Sequence, residues 1–343
     1  MERVLLAAPR GFCAGVEMAI KALAWMVRVF EPPVYCYHEI VHNRLVVDRF
    51  ERLGVVFVND VAEVPPGAPI MLSAHGSAPE VVTAARANGG VVVDAVCPLV
   101  TKVHHEVKVR AGKGFTVLYV GHEGHDEAVG TMAVAPGAVR LVEEPADVER
   151  LELDEGTPVA FLAQTTLSVD DWAGVRETAL RRFPDMWMPG RSDLCFATTN
   201  RQAALRAIAH KADAVVVIGS ANSSNTVALE KVARAEGASP VLRINSAAEL
   251  PDDLHGVVGV TAGASAPEEL VRAVLDRLAP REGVELVDVT DEDEYFPPPR
   301  ELRDLLRAVA TAVTFSLFAP SEPEAVLADD RAVAASDVLS ALG

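Results

Sequence analysis

The chain has 343 residues, half of them hydrophobic and only 5% aromatic, so it is long enough for more than one α/β unit with cores of Ala, Val and Leu. Its formal charge of −18 argues against nonspecific nucleic-acid binding, and the absence of any apolar run of about eighteen residues argues against a membrane span. Four scattered cysteines (Cys13, Cys36, Cys97 and Cys195) do not read as a disulfide framework, nor "MERVLLAAPRG" as a signal peptide, so the expected setting is cytoplasmic.

Short apolar runs alternate with amphipathic helical patterns along most of the chain. Strands are predicted at Val4–Ala8, Val34–Tyr37, Ile70–Ser73, Val91–Ala95 and Thr116–Val120, then at Val159–Ala163, Ala214–Ile218, Val241–Ile244 and Val257–Val260. Helical patterns fall at Val16–Phe30, Asn43–Leu53, Pro79–Ala87 and Thr101–Ala111, then at Val169–Arg182, Asn200–His210, Val227–Glu236 and Pro267–Leu278. This alternation is the signature of parallel α/β sheets, and its repetition suggests several similar modules. After about Thr290 the chain turns acidic and proline-rich, "TDEDEYFPPPRELRDLL". Asp304–Gly343 reads as an appendage of one or two helices or a partly disordered tail.

In parallel α/β folds, ligands bind at the carboxyl ends of strands, beside helix N-termini. The residues just after each strand are therefore informative. Cys13 follows the first strand and His42 the second; His75 lies in "LSAHGSAPE" and Cys97 in "DAVCPLVTK". His122, His125 and Glu127 lie in "GHEGHDEAVGT", Thr165 and Thr166 in "AQTTLS", Ser223, Ser224 and Asn225 in "SANSSNT", and Ser265 in "AGASAPE". Taken singly, the hydroxyls and Asn are helix caps, and His104, His105, His122 and His210 are solvated or structural. Cys36, inside "PPVYCYH", packs as a small hydrophobe. Cys13, Cys97 and Cys195 instead stand at strand-to-helix junctions, a poor place for an inert core thiol. Three thiolates fit zinc with a further ligand or an open position, as in a zinc-dependent hydrolase. They equally fit a 4Fe–4S cluster with one iron lacking a protein thiolate, in an enzyme or in a non-enzymatic sensor. No P-loop and no convincing G-x-G-x-x-G occurs, which disfavours nucleotide chemistry.

Together, "PRGFCAGV", "HEIVHNR", "SAHG", "CPLVTKVH", "GHEGHDEAVGT", "QTTLSVDD", "CFATTNRQ", "NSSN" and "GASAPEE" resemble the 4-hydroxy-3-methylbut-2-enyl diphosphate reductase family, which completes the methylerythritol phosphate route to isoprenoids. The match runs in order from about Val4 to Arg303. The resemblance implies an α/β fold of three similar small modules with parallel-type sheets, in a pseudo-threefold arrangement around a central cluster site. The expected division is residues 13–96, 97–194 and 195–290, the strand within 1–12 joining the third module and 291–343 forming linker and tail.

Carried over by motif, Cys13, Cys97 and Cys195 are implied as the ligands of a 4Fe–4S cluster. His42, His75, His125, Ser223, Ser224, Asn225 and Ser265 are implied to contact the substrate, chiefly its diphosphate. Glu127 is implied as proton donor, and Thr165 as the residue that meets the substrate hydroxyl and relays or orients the proton. The implied reaction removes the hydroxyl of an allylic diphosphate reductively, with electrons from an external ferredoxin or flavodoxin. Asp126 stands where the family often has proline, and Val96 where threonine is usual.

Overall fold

The structure, a computed structural model, describes residues 1–317 and 330–342. From the N-terminus, β1 (Arg3–Ala8) and α1 (Ala14–Val29) lead to β2 (Val34–Tyr37), α2 (Arg44–Arg52), β3 (Val55–Val58), β4 (Ile70–Leu72), α3 (Pro79–Ala87) and β5 (Val92–Asp94). The middle runs α4 (Pro98–Gly112), β6 (Thr116–Val120), α5 (Asp126–Ala133), β7 (Val139–Val142), α6 (Pro145–Arg150), β8 (Val159–Ala163) and α7 (Val169–Arg182). Then come α8 (Phe196–Ala209), β9 (Ala214–Ile218), α9 (Ser224–Ala235), β10 (Val241–Ile244), β11 (Val257–Ala262), α10 (Glu268–Leu278) and β12 (Val284–Asp288). Two helices end the chain, α11 (Arg300–Leu317) and α12 (Ala335–Ala341).

The strands form three parallel sheets, in the orders β3-β2-β4-β5, β7-β6-β8 and β10-β9-β11-β1-β12. This is the three-module α/β architecture. The last sheet takes in the first strand of the chain beside its last two: Val4 stands opposite Val258 on one side and Val284 on the other. Its central strands are apolar without interruption because both faces are covered. Val215 and Val217 pack with Leu5 and Ala7 against α8 and α9, while Val216 and Ile218 pack with Val4 and Leu6 against α10.

Three strands and two helices escape the sequence pattern, β3, β7, β12, α5 and α6. In β12 the reason is its place at the sheet edge: Leu286 is 58% exposed, so no apolar face announces it. Several helices also begin about one turn earlier than their apolar period suggests, α4 at Pro98, α8 at Phe196 and α9 at Ser224. Their first turns face a cavity instead of a core, so those residues are chosen for something other than packing.

The described part of the C-terminal segment packs into the first module instead of hanging from it. Leu302 and Leu306 of α11 and Ala335 and Leu339 of α12 share one apolar core with α1. The buried Lys21 ammonium donates to the Asp330 carbonyl (2.8 Å) and pairs with the Asp330 carboxylate (3.1 Å). Ala335 N donates to the Glu17 carboxylate (2.6 Å), which caps the start of α12. Residues 318–329, where the sequence pattern allowed disorder, lie outside the described residues.

Candidate functional site

The carboxyl ends of the strands of all three sheets meet at one cavity, about 790 Å³ with the open solvent at its mouth included. All twelve side chains singled out from the sequence line it.

The three thiols hold equivalent positions. Cys13, Cys97 and Cys195 are the N-cap residues of α1, α4 and α8. Each therefore sits where unpaired backbone N–H groups and the positive end of a helix dipole favour negative charge. Cys195 Sγ accepts from Thr198 N (3.2 Å) and lies 3.0 Å from Thr198 Oγ1. Burial works the other way and dominates: it raises Cys13 and pushes Cys97 and Cys195 up to about 12. The thiols become thiolates only when a cation compensates the burial.

Gly15 makes room between two of them. A Cβ there would stand 2.9 Å from Cys97 Sγ and 4.0 Å from Cys13 Sγ, so the backbone of α1 leaves a cradle that any other residue would fill. The three sulfurs do not gather within 4.8 Å of one another; among the described residues only His42, His75 and Asp126 form such a group. A single tetrahedral zinc, with bonds of about 2.3 Å, would need its sulfurs about 3.8 Å apart. The spacing fits a larger, polynuclear group better than one ion.

Glu127 lies in the first turn of α5 and is only 2% exposed. Thr165 grips it with both donors: its N–H to Oε1 (2.7 Å) and its hydroxyl to Oε2 (2.8 Å). Burial nonetheless outweighs these bonds and lifts the carboxyl to about 7. A carboxyl titrating there is poised to give or take a proton at neutral pH. The same Thr165 accepts from Cys195 N through its carbonyl (3.0 Å), tying the acid to the third thiol.

The other end of the cavity is polar without being cationic. His42 and His75 stack with ring centroids 4.0 Å apart, and His125 meets both edge-on. Burial pulls His125 down to about 4 and lowers His75 strongly. His125 caps α5, its Nδ1 accepting from Glu127 N (3.1 Å). Ser223 caps α9, and Ser265 Oγ donates to the His42 carbonyl (2.9 Å) and lies 3.4 Å from Ser223 Oγ. Asn225 Oδ1 accepts from Ala264 N (2.9 Å), which fixes its amide group. Ser224 Oγ accepts from Gln164 Nε2 (3.2 Å). Among the described residues, no Lys or Arg side chain lines the cavity.

Sequence reasoning missed several supports. Arg201, 1% exposed, donates to the carbonyls of Gly11 (2.8 Å) and Phe12 (3.1 Å) and pairs with Glu292 (3.0 Å), so it clamps the Cys13 loop to α8. The signal was present in "CFATTNRQ", since a lone Arg inside a helix's apolar face demands partners. Phe296, in the stretch read as linker, closes one wall beside Phe196. Asp126 stands out in the sequence only as a departure from the family pattern. Burial opposes its charge, but a 2.8 Å bond from His38 Nδ1, together with His75 and His42, holds its carboxyl down at about 2.

The sequence model of the family described as "LytB protein" matches residues 4–279. A 4-hydroxy-3-methylbut-2-enyl diphosphate reductase of Rhodopirellula baltica is 47% identical over 315 residues, covering 90% of this chain and 98% of that protein. One of Phenylobacterium zucineum is 49% identical over 305 residues, covering 87% and 97%. The solved E-1-hydroxy-2-methyl-but-2-enyl-4-diphosphate reductase of Plasmodium falciparum superposes with a TM-score of 0.88 at 31% identity, covering 90% of this chain and 99% of that one.

Proposed function

The chain belongs to the LytB family, the 4-hydroxy-3-methylbut-2-enyl diphosphate reductases of the non-mevalonate pathway, and from that premise we propose how its cavity carries out the reaction. The family's enzymes are iron–sulfur proteins. In this chain Cys13, Cys97 and Cys195 hold the group as a 4Fe–4S cluster; three capped helix ends, the Gly15 cradle and the wide sulfur spacing support this reading. When bound, the cluster supplies electrons one at a time and, having only three thiolates, a Lewis-acidic iron.

The reaction adds two electrons and two protons to the allylic alcohol, breaks its C–O bond, releases water and yields isopentenyl and dimethylallyl diphosphates. Hydroxide is a poor leaving group, so the departing oxygen needs a proton. Glu127 holds that proton close to neutrality, and Thr165, bonded to both carboxylate oxygens, orients it and meets the substrate hydroxyl. Ser223, Ser224, Asn225 and Ser265, with His42, His75 and His125, receive the diphosphate beside the N-terminus of α9. Binding so far from the breaking bond lets phosphate contacts fix the hydroxyl beside Glu127. The observation that carries the reading is the single cavity holding a buried, near-neutral carboxyl, three thiols and a cluster of neutral donors.

An external one-electron carrier, a ferredoxin or flavodoxin, completes the cycle, since the sequence has no nucleotide-binding loop. No described helix is long and apolar enough to cross a membrane, and four free cysteines suit the reducing cytoplasm.

The test is anaerobic purification with iron, sulfide and zinc analysis, followed by substrate consumption with a chemical reductant. Iron and sulfide in equal amounts with turnover are expected; stoichiometric zinc, or a loaded protein that leaves substrate untouched, overturns the reading. Cys13→Ser should lose most iron and visible absorption, while Cys36→Ala, altering a thiol buried in the first core, keeps both.

A further inference from the structure

The wall that Phe296 adds to the cavity belongs to a stretch with little backbone support. Residues 290–298 form no backbone–backbone hydrogen bond among the described residues. Such a stretch opens locally at low cost unless side chains fasten it. One fastening is Glu292, paired with Arg201 of α8 (3.0 Å). The other is Tyr295, and its partner comes from the far end of the chain. The Tyr295 hydroxyl donates to Asp330 Oδ2 (2.9 Å), the same oxygen that pairs with Lys21 of α1 (3.1 Å). The Lys21 ammonium also stands 5.5 Å from the centre of the Tyr295 ring. Next along the chain, Arg331 pairs with Asp293 (2.8 Å).

Asp330 is therefore a junction, and its side chain is buried. On one side it holds α1, the helix that Cys13 caps. On the other it holds the residue next to Phe296. Phe296 in turn lines the cavity beside Phe196, the neighbour of Cys195, with ring centroids 6.5 Å apart. The family match ends at residue 279, so Tyr295 and Asp330 both lie in the part of the chain beyond it.

We propose that Asp330 is a positioning residue: through Tyr295 it holds Phe296 against Phe196 and so shields the thiol end of the cavity from solvent. The C-terminal segment then acts as a strap on the site, beyond its share in the first core. The strap does not depend on which metal the thiols hold; only the readout rests on their holding one.

The test follows metal release from the anaerobic holoenzyme to pyridylazoresorcinol, which colours with iron and with zinc, in the absence of denaturant. Tyr295→Phe removes the hydroxyl and keeps the ring, and Asp330→Ala removes its acceptor. Release about tenfold faster is expected in each, the shift in local opening that follows loss of a hydrogen bond to a charged group. Asp330→Asn should return to within about threefold of wild type, its amide oxygen serving both donors in place of Oδ2. Phe296→Ala should release metal at least as fast as Tyr295→Phe, and adding Tyr295→Phe to it should change nothing more, because both act on one wall. A merely stabilising role for Tyr295 would make the two effects multiply. Tyr295→Phe carries the test by itself should Asp330→Ala not fold. Wild-type release in Tyr295→Phe, no rescue by Asp330→Asn, or multiplying effects overturns the proposal. The identity of the released metal bears on the cluster reading alone: zinc in place of iron removes that reading, and the rates still judge the strap.

Discussion

Replacing Glu127 with Gln tests the proposed proton donor with little structural damage. Gln keeps one oxygen to accept from Thr165 N, as Oε1 does at 2.7 Å, and its amide can donate to the Thr165 hydroxyl, which turns to accept. The fold and the thiols are left in place. What goes is a proton held at about 7. General acids contribute about a hundredfold to ten-thousandfold, and the lower bound applies because Thr165 still offers a hydroxyl, so turnover should fall at least about a hundredfold. That is a loss of about 2.7 kcal/mol of transition-state stabilisation. The pH profile carries a second signature. The wild-type acid form predominates below about 7 and declines above it, so single-turnover consumption should drop on the alkaline side. In Glu127→Gln that limb should vanish. The assay is anaerobic single turnover with dithionite from about pH 6 to about pH 9, at matched iron content. A variant within about threefold of wild type, or one that keeps the alkaline limb, refutes the reasoning.

The same carboxyl makes a stability prediction. Its folded value, raised from 4.5 to about 7, means the folded protein holds a proton that the unfolded chain releases, so stability is fullest below 4.5 and falls as pH rises through 7. The loss is on the order of 3 kcal/mol at about 1.4 kcal/mol per pH unit, and heat denaturation of Glu127→Gln above neutrality should show a higher midpoint than wild type. Gly15→Ala should leave the cluster-free protein as stable as before or slightly more so, since Ala favours a helix. Its Cβ nevertheless lands 2.9 Å from Cys97 Sγ, so iron per chain should drop by at least about half; full iron content would show that the cradle is not needed. Arg201→Met leaves the Glu292 carboxylate without its cation, with only Asn200 still donating to it, and strands the Gly11 and Phe12 carbonyls. Urea denaturation should register a loss of about 3 kcal/mol or more; a change below about 1 kcal/mol would mean that solvent replaces the clamp.

Strands buried on both faces declared themselves as continuous apolar runs, Ala214–Ile218 most plainly, because nothing in such a strand meets water. The edge strand Val284–Asp288 did not, because its exposed Leu286 and Val284 obey no burial rule that a sequence pattern detects. The position of polar groups after apolar strands drew notice to that end of the fold, but the hydroxyls and Asn singly read as helix caps, and only the resemblance of the ordered motifs joined the twelve cavity side chains into one set. The supports were not legible. Arg201, Phe296 and Asp126 act through partners 91 or more residues away or on other modules, as in Arg201–Glu292 and Asp126–His38, and only the folded chain brings those partners together. The docking of α12 on α1 was hidden for the same reason, its buried face being just Ala335 and Leu339.

The position of β1 between β11 and β12 sets an order of events during synthesis. Cys13 is carried at the end of a strand whose two neighbours, Val257–Ala262 and Val284–Asp288, leave the ribosome last among the strands. Its loop is fastened by Arg201 and Glu292, also late arrivals. Under the proposed ligand set, the three-thiol site is complete only once the strands Val257–Ala262 and Val284–Asp288 have paired with β1.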